Sequence, residues 1–364
     1  MSSDRKRRIC ILVPTHWEYS MGGAEYQAKL LTEYLIQTNE FEIFHLSNAI
    51  DPDFSPKGYK ICRLGRTRFS GFIFDCRSLL KILNRIKPEI IYQQVGCAYT
   101  GVVAYYSNKN NCNLVWQVAS DPDVEPWTGS LFKRFSIDYI DKLVLEYGVT
   151  HAKKIAVQTE TQANLLNTNY ARKPAALIRN FHPISTDKID KSGQLTVLWV
   201  ANVKKLKQPQ IFIRLARDLM ELDVQFLMMG ELQGKKNWHC PIIEQVNSTP
   251  NMKYMGRLPQ KEVNRLFATS HLLVNTSKYE GFSNTFIQAW MRKVPVISYN
   301  VDPDKLLSEK KYGACAYGDY DLMLRQLKFL IEDEKERTLI GKRAQEYAIE
   351  HHSDSNLHNL VDLF

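Results

Sequence analysis

Short apolar runs alternate with segments whose apolar residues recur at helical spacing along nearly all of the 364 residues. They do so in two series divided by one polar stretch. In the first series, residues 9–13, 41–46, 90–93, 114–118 and 155–157 read as buried strands. Tyr26, Leu30, Leu31, Tyr34 and Leu35 mark a helix after the first run, and further helices are predicted over 79–86, 135–151 and 161–166. Strand, helix, strand repeated in this way implies a parallel sheet covered on both faces. From Pro183 to Gly193 the pattern lapses into polar residues, which reads as a linker. A new run at 195–200 opens the second series. A helix follows with Pro209 in its first turn and Phe212, Leu215 and Leu219 on one face. Runs at 224–229, 272–275 and 296–298 complete the series, and the C-terminal stretch is helical and charge-rich. The expected architecture is α/β, with two Rossmann-like doubly wound domains at 1–185 and 193–344. They face across a cleft, the usual place for a small ligand. The final helix, 345–364, with Tyr347, His351 and His352, is expected to pack back on the first domain.

Charge and cysteines narrow the setting. Seven cysteines without a CxxC pair argue against a disulfide framework and for reduced thiols. No apolar run approaches the ~18 residues that span a bilayer. Arg5, Lys6, Arg7 and Arg8 precede an apolar stretch too short for a signal peptide and stopped by Pro14, so a cytoplasmic protein is expected. The net charge of +9 suits a nucleic acid, an anionic membrane surface or a phosphorylated small molecule. No RNP-type strand, helix-turn-helix cue or zinc spacing supports nucleic acid. The basic N-terminus, and Lys133 and Arg134 beside Leu131, Phe132 and Phe135, suggest peripheral contact with an anionic membrane. A solvated surface accounts for them equally well.

One turn carries the chemistry. The run 272–275 is a strand, 276–283 a loop and 284–291 a helix, and ligands of open parallel sheets sit over such helix starts. The helix N-terminus offers unpaired N–H groups and partial positive charge to a diphosphate. Gly281 allows close backbone approach, Ser283 caps the helix or donates to phosphate, and Asn284 and Thr285 add donors. Glu280 can accept two sugar hydroxyls through its two oxygens, and Gln288 lies one turn further on. An ordinary loop before a capped helix has the same local sequence.

The stretch Glu280-Gly281-Phe282-Ser283-Asn284-Thr285-Phe286-Ile287-Gln288, with Val294-Pro295-Val296, resembles the family 4 glycosyltransferases of the GT-B fold. Their motif is a Glu, seven residues, a second Glu and a Pro-Val strand. The resemblance implies that Glu280 contacts the donor sugar and that position 288 holds the ribose, here through a neutral Gln in place of the second Glu. Charge-assisted bonds are about twice as strong as neutral ones, so donor binding is expected to differ. A second matching stretch runs from Trp199 to Pro209. The family has an Arg and, five residues on, a Lys, both on the donor diphosphate. Lys207 matches the Lys, and Asn202 replaces the Arg. Lys207 is then expected to stabilise the departing nucleoside diphosphate, with Lys204 and Lys205 as helpers or as a solvated face. Gly22 and Gly23, opening the first helix, resemble the family's N-terminal glycine turn, whose backbone faces the diphosphate. The turn lacks the GxGxxG fingerprint of a dehydrogenase.

Asp-Pro-Asp occurs at 51–53, 121–123 and 302–304. Proline at the centre favours turns over a metal pair, and no metal or other cofactor is expected. Asp121 is the exception with a candidate catalytic role, since it follows the run 114–118 where relatives place a catalytic His. A capping Asp is the plain alternative. His182, near the linker, and His16, in the first loop, are candidates to line the cleft, with structural roles the plain alternative.

The resemblance implies a retaining, hexosyltransferase-type enzyme (EC 2.4). It would move a sugar from a nucleoside diphosphate to a carbohydrate or lipid-linked hydroxyl in surface polysaccharide or glycolipid assembly. The alternatives are a catalytically silent GT-B scaffold subunit, motivated by Asn202 and Gln288, and a sugar-nucleotide epimerase, for which no acidic pair at the anomeric centre is evident.

Overall fold

The computed structural model describes residues 5–65, 72–128, 136–184 and 188–364. The chain divides into two compact units, Met1–Asn180 with Asn356–Phe364, and Phe181–Ser355. The basic-apolar segment around Lys133 and Arg134, and residues 185–187 of the expected linker, lie outside the described residues.

The first unit runs β1 (Arg7–Leu12), α1 (Gly23–Thr38), β2 (Phe41–Ser47), β3 (Lys60–Arg63), α2 (Cys76–Ile86), β4 (Ile90–Gln94), α3 (Ala98–Asn110), β5 (Asn113–Gln117), α4 (Ile137–His151), β6 (Lys154–Val157), α5 (Glu160–Tyr170) and β7 (Ala176–Leu177). Its parallel sheet has the order β3-β2-β1-β4-β5-β6-β7. β1 pairs with β2 through Ile9↔Ile43 and with β4 through Ile9↔Ile90. Every residue from Ile9 to Leu12 is buried, as a strand covered on both faces requires.

The second unit runs β8 (Thr196–Val200), α6 (Pro209–Asp218), β9 (Gln225–Met229), α7 (Lys236–Asn247), β10 (Met252–Tyr254), α8 (Gln260–Thr269), β11 (Leu272–Asn275), α9 (Asn284–Trp290), β12 (Val296–Ser298), β13 (Gly313–Cys315), α10 (Tyr320–Glu332) and α11 (Glu334–His351). Its sheet is also parallel, in the order β10-β9-β8-β11-β12-β13. Both sheets are the doubly wound, Rossmann-like layers that the alternation implies. Each reverses its strand order once, between β1 and β4 and between β8 and β11.

Two boundaries differ from the sequence expectation. The division falls after Asn180, not at 185, and part of the polar stretch is packed rather than open. Lys191 Nζ donates to the carbonyls of Phe267 (2.9 Å) and Ser270, satisfying acceptors at the C-terminal end of α8. The C-terminal stretch returns to the first unit at Asn356, not at 345. Tyr347 remains in the second unit, edge-on to Trp290 (5.7 Å) and stacked on Tyr312 (4.7 Å). The last helix, α12 (Ser355–Val361), leads into a tail held in the first unit. There Leu363 O accepts from Asn113 Nδ2 (2.9 Å) and His358 Nδ1 lies 3.0 Å from Tyr34 OH.

Candidate active site

In an open parallel sheet, the carboxyl ends of the two strands at the reversal diverge and leave a crevice between their loops. In the second unit those are the loops after β8 and β11, and the sequence ties them together. Trp199, buried in β8, donates from Nε1 to Thr276 Oγ1 (2.8 Å), and Thr276 Oγ1 donates to Lys207 O (2.5 Å). The Lys278 N–H reaches Leu206 O at 3.0 Å. Gln208 then turns the chain with φ 45°, and Pro209 starts α6.

This clamp brings Lys207 Nζ to 2.9 Å from Glu280 Oε1, with the two side chains only 16% and 15% exposed. Asn275 Nδ2 (2.8 Å) and Ser277 Oγ (2.5 Å) donate to the same oxygen. All three donors meet Oε1, so Oε2 is the acceptor left for a ligand. The expectation that both Glu280 oxygens serve sugar hydroxyls is corrected accordingly. Burial alone would raise the Glu280 carboxyl. Lys207 beside it and the hydrogen bonds from Ser277, Lys207 and Asn275 outweigh burial and hold it at about 2. The group is therefore a carboxylate at any physiological pH, fixed in orientation by its neighbours.

The rest of the turn is more specialised than its sequence suggests. Phe282 is a core residue, 6.0 Å from the Trp290 ring and 4.4 Å from that of His352. Its expected part in donor binding is confined to the main chain. Ser283 occupies the N-cap of α9 without a side-chain cap, its Oγ lying 3.0 Å from Thr285 Oγ1. Asn284 is the first residue of α9. Gly281 lies in the bend just before Phe282. Gln288 is buried one turn later, and its carbonyl accepts from Arg292 Nη1 (3.3 Å). Arg292 is 1% exposed, an enclosed cation behind the turn. Asn202 Oδ1 accepts the Glu231 N–H (3.4 Å), and Val203 bonds the same loop through Glu231 O (2.7 Å). Asn202 thus ties the loop after β8 to the loop after β9.

Asn275, Ser277, Thr276 and Arg292 were missed as site residues by sequence reasoning. The available signal was a polar residue ending an apolar strand run, Leu272-Leu273-Val274-Asn275, at a sheet reversal.

In the first unit, Gly22 is the N-cap of α1 in extended backbone, its carbonyl accepting the Tyr26 N–H (3.0 Å), and Gly23 is the first helical residue. After β5 a single 3-10 turn spans Asp121–Val124. Its inward carboxylate is Asp123, which accepts from the N–H groups of Ala119 (2.8 Å) and Ser120 (3.1 Å) and from Ser120 Oγ (3.0 Å). Asp121 Oδ1 accepts from Gln162 Nε2 (3.3 Å). The other Asp-Pro-Asp triplets also fold turns. Asp51 Oδ1 takes the Asp53 N–H (3.0 Å), and Asp302 takes those of Leu307 (2.8 Å) and Ser308 (3.1 Å). Neither candidate histidine is open to a ligand. His16 is buried among Trp17, His45, Phe54 and Tyr59, with its Nε2 3.0 Å from Tyr59 OH. His182 is buried with Nδ1 3.1 Å from Pro183 O. Burial lowers both to about 4.

Two doubly wound parallel sheets, one in each unit, are those of the GT-B fold. Residues 183–347, a little under half of the chain, match the family model for glycosyl transferases group 1. An uncharacterized glycosyltransferase of Methanocaldococcus jannaschii is 21% identical over 293 residues, 72% of this chain and 70% of that protein. Sucrose-phosphate synthase from Thermosynechococcus elongatus superposes with a TM-score of 0.78 at 15% identity, covering 99% of this chain and 98% of its own. WaaG, a glycosyltransferase involved in lipopolysaccharide biosynthesis, gives 0.77 at 12% identity, covering 98% and 99%. Anabaena HepE, in complex with UDP and glucose, gives 0.73 at 14% identity, covering 98% of each chain. At these identities the structural likeness is one of fold.

Proposed function

We propose that the chain is a retaining glycosyltransferase that uses a nucleoside-diphosphate sugar, with its donor site at the reversal of the second sheet. The observation that carries this reading is the Lys207–Glu280 pair, held at 2.9 Å with two further donors on the same carboxylate oxygen. Glu280 Oε2 accepts a hydroxyl of the donor sugar. Main-chain N–H groups of residues 281–285 and the Lys207 ammonium take the diphosphate, and Gln288 lies toward the ribose. As the bond from the anomeric carbon to the phosphate oxygen breaks, charge builds on the leaving diphosphate, where a fixed cation lowers the barrier. The acceptor oxygen bonds to the same face of that carbon, and its proton passes to a phosphate oxygen. The reaction requires no metal. The first unit takes the acceptor, with Asp121 as a candidate catalytic residue, while Gly22 and Gly23 are candidate main-chain contacts of the donor diphosphate.

HepE is described with UDP and with UDP-glucose, which supports a UDP-sugar as the first donor to test. WaaG's part in lipopolysaccharide biosynthesis supports a surface glycan or glycolipid as acceptor. Among the described residues no helix is long and apolar enough to cross a membrane, so contact with a lipid-linked acceptor would be peripheral, on the cytoplasmic face.

Asn202 and Gln288 favour one rival, a silent binding subunit. A panel of labelled UDP- and GDP-sugars separates the two. Slow release of free nucleotide from one donor supports the transferase, whereas tight binding without turnover, even with candidate acceptors, supports the scaffold.

A further inference from the structure

In the first unit, α2 opens on a carboxylate that does not cap it. Asp75 holds the N-cap position of α2, where an aspartate ordinarily accepts a main-chain N–H of the first turn, yet its side chain makes no such bond. It is 1% exposed. Tyr99 OH, from the first turn of α3, donates to Asp75 Oδ2 (2.8 Å), and Asn48 Nδ2, just after β2, donates to the same oxygen. Asn48 is fixed in turn by its N–H to Pro14 O (3.0 Å), just beyond β1. The carboxylate is thus held at the carboxyl ends of the first sheet, beside the reversal between β1 and β4. Among the described residues no donor reaches Asp75 Oδ1.

A buried acceptor without a donor carries its full desolvation cost, so its place in a fold calls for a partner. Gly65, an exposed residue shortly after β3, marks the side from which one can come. A Cβ built there would meet, among the described residues, only Asp75 Oδ1, at 3.8 Å. The end of β4 is arranged likewise. Gln93, in register with Leu12 of β1, is fully buried, donates from Nε2 to Val95 O and leaves Oε1 without a donor. Val95 is held at φ 77°, a left-handed conformation that is strained for a β-branched residue. Acceptors whose companion atoms are already engaged select a ligand rich in donors. The fitting donor is a hydroxyl, as at Glu280, where Oε1 is likewise occupied and Oε2 is left for a ligand.

We propose that Asp75 is the carboxylate by which the first unit holds its acceptor, Oδ1 taking a hydroxyl of a sugar seated over Gly65. That this sugar is an acceptor rests on the sugar-transfer reading; the sugar site itself does not. The test is saturation-transfer NMR of the full chain with methyl α- and β-glycosides of glucose, galactose, mannose and N-acetylglucosamine. One of them is expected to bind, and one of its monodeoxy analogues to bind about tenfold more weakly, the mark of a hydroxyl read by a buried charged acceptor. Gly65→Ala sets a methyl against Oδ1 without touching the charge, and Gly65 lies outside the left-handed region, so the backbone accepts alanine. It is expected to weaken binding about tenfold with an unchanged melting curve. In Asp75→Asn the Asn48 and Tyr99 donors keep an acceptor, while the glycoside and its deoxy analogue are expected to bind equally. Absence of binding by every glycoside overturns the inference, as does binding that both variants leave intact or a deoxy penalty that survives Asp75→Asn. Nucleotide release from labelled UDP- and GDP-sugars is followed separately in the wild type. Release without glycoside binding overturns the assignment of Asp75 and leaves the donor site standing. Glycoside binding without release removes the transfer reading and keeps the sugar site at Asp75.

Discussion

A carboxylate that must read a sugar hydroxyl is useful only if its orientation is fixed before the sugar arrives. In the role proposed for Glu280 that task falls to Asn275 and Ser277, whose donors saturate Oε1 together with Lys207. Removing Ser277 Oγ, as in Ser277→Ala, frees the carboxylate to rotate while leaving the ion pair. Donor turnover is expected to fall about tenfold, mainly in kcat, as for one lost hydrogen bond to a charged group. Removing the cation is more severe. Lys207→Ala is expected to cost at least about a hundredfold in kcat, because the leaving diphosphate loses its fixed positive charge. It should also raise the Glu280 carboxyl toward the ordinary range, since the lysine is the largest influence holding it down. Near-normal rates in this variant would sink the site assignment. At Gln288 the opposite sign is expected. On the proposed reading, in which Gln288 meets the ribose, Gln288→Glu replaces a neutral contact by a charged one and should lower the donor KM several-fold with little change in kcat. Glu280 and Lys207 were legible in the sequence because the stretches around them resemble the family 4 pattern, each in a loop that follows a strand. The saturation of Oε1, the burial of Phe282 and the tether at Asn202 were not. Each depends on which way a side chain leaves a bend, and spacing along the chain does not determine that.

Between residues and fold, the loops after β8 and β9 act as one element. Asn202 and Val203 bond the Glu231 main chain, and Gly230 makes the approach possible. Its φ is 144°, and a Cβ there would lie 1.8 Å from Ala201 O. Gly230→Ala combines a strained backbone with a backbone clash, costing roughly 2–6 kcal/mol. The loop that presents Lys207 must shift to relieve it. A lower melting transition and a raised donor KM are expected together, and an unchanged KM would show that the loop presents Lys207 independently of β9. The same scale explains what the periodicity did not reveal. α3 is buried on nearly every side from Ala98 to Ser107, so it has no polar face to set against an apolar one and no helical stripe to read. β3, β10 and β13 have three or four residues each, too few for a pattern to emerge from single-sequence reading. The long central strands and amphipathic α2 and α6, with buried faces at Leu79, Ile82, Leu83 and at Phe212, Leu215, Ala216, were legible for the converse reason.

Across the whole molecule, the buried histidines make stability depend on pH in a defined direction. His16 in the first unit and His182 in the second are both lowered by burial to about 4, from an ordinary 6.5, and burial also lowers His45. Unfolding returns each ring to water, where it binds a proton below about 6.5. Between the two values the unfolded chain holds more protons than the native one, so stability rises with pH and is lost as pH falls from 6.5 toward 4. At pH 5 the loss is on the order of 2 kcal/mol for each of His16 and His182. Other groups act in different windows. The Glu280 carboxyl, depressed to about 2, contributes stability that disappears only below the ordinary 4.5 of a Glu. Lys191, lowered by burial to about 7, acts between there and 10.5, again favouring the native state as pH rises. The Asp123 carboxyl is raised by burial, so it favours the native state on the acid side. Urea unfolding at pH 7, 6 and 5 is therefore expected to show midpoints falling in both units. His16→Phe should lessen the fall in the first unit alone, where His45 still contributes, and His182→Phe that in the second, where burial also lowers His271. Midpoints that stay level from pH 7 to 5 would mean that these rings are reached by water in the native protein.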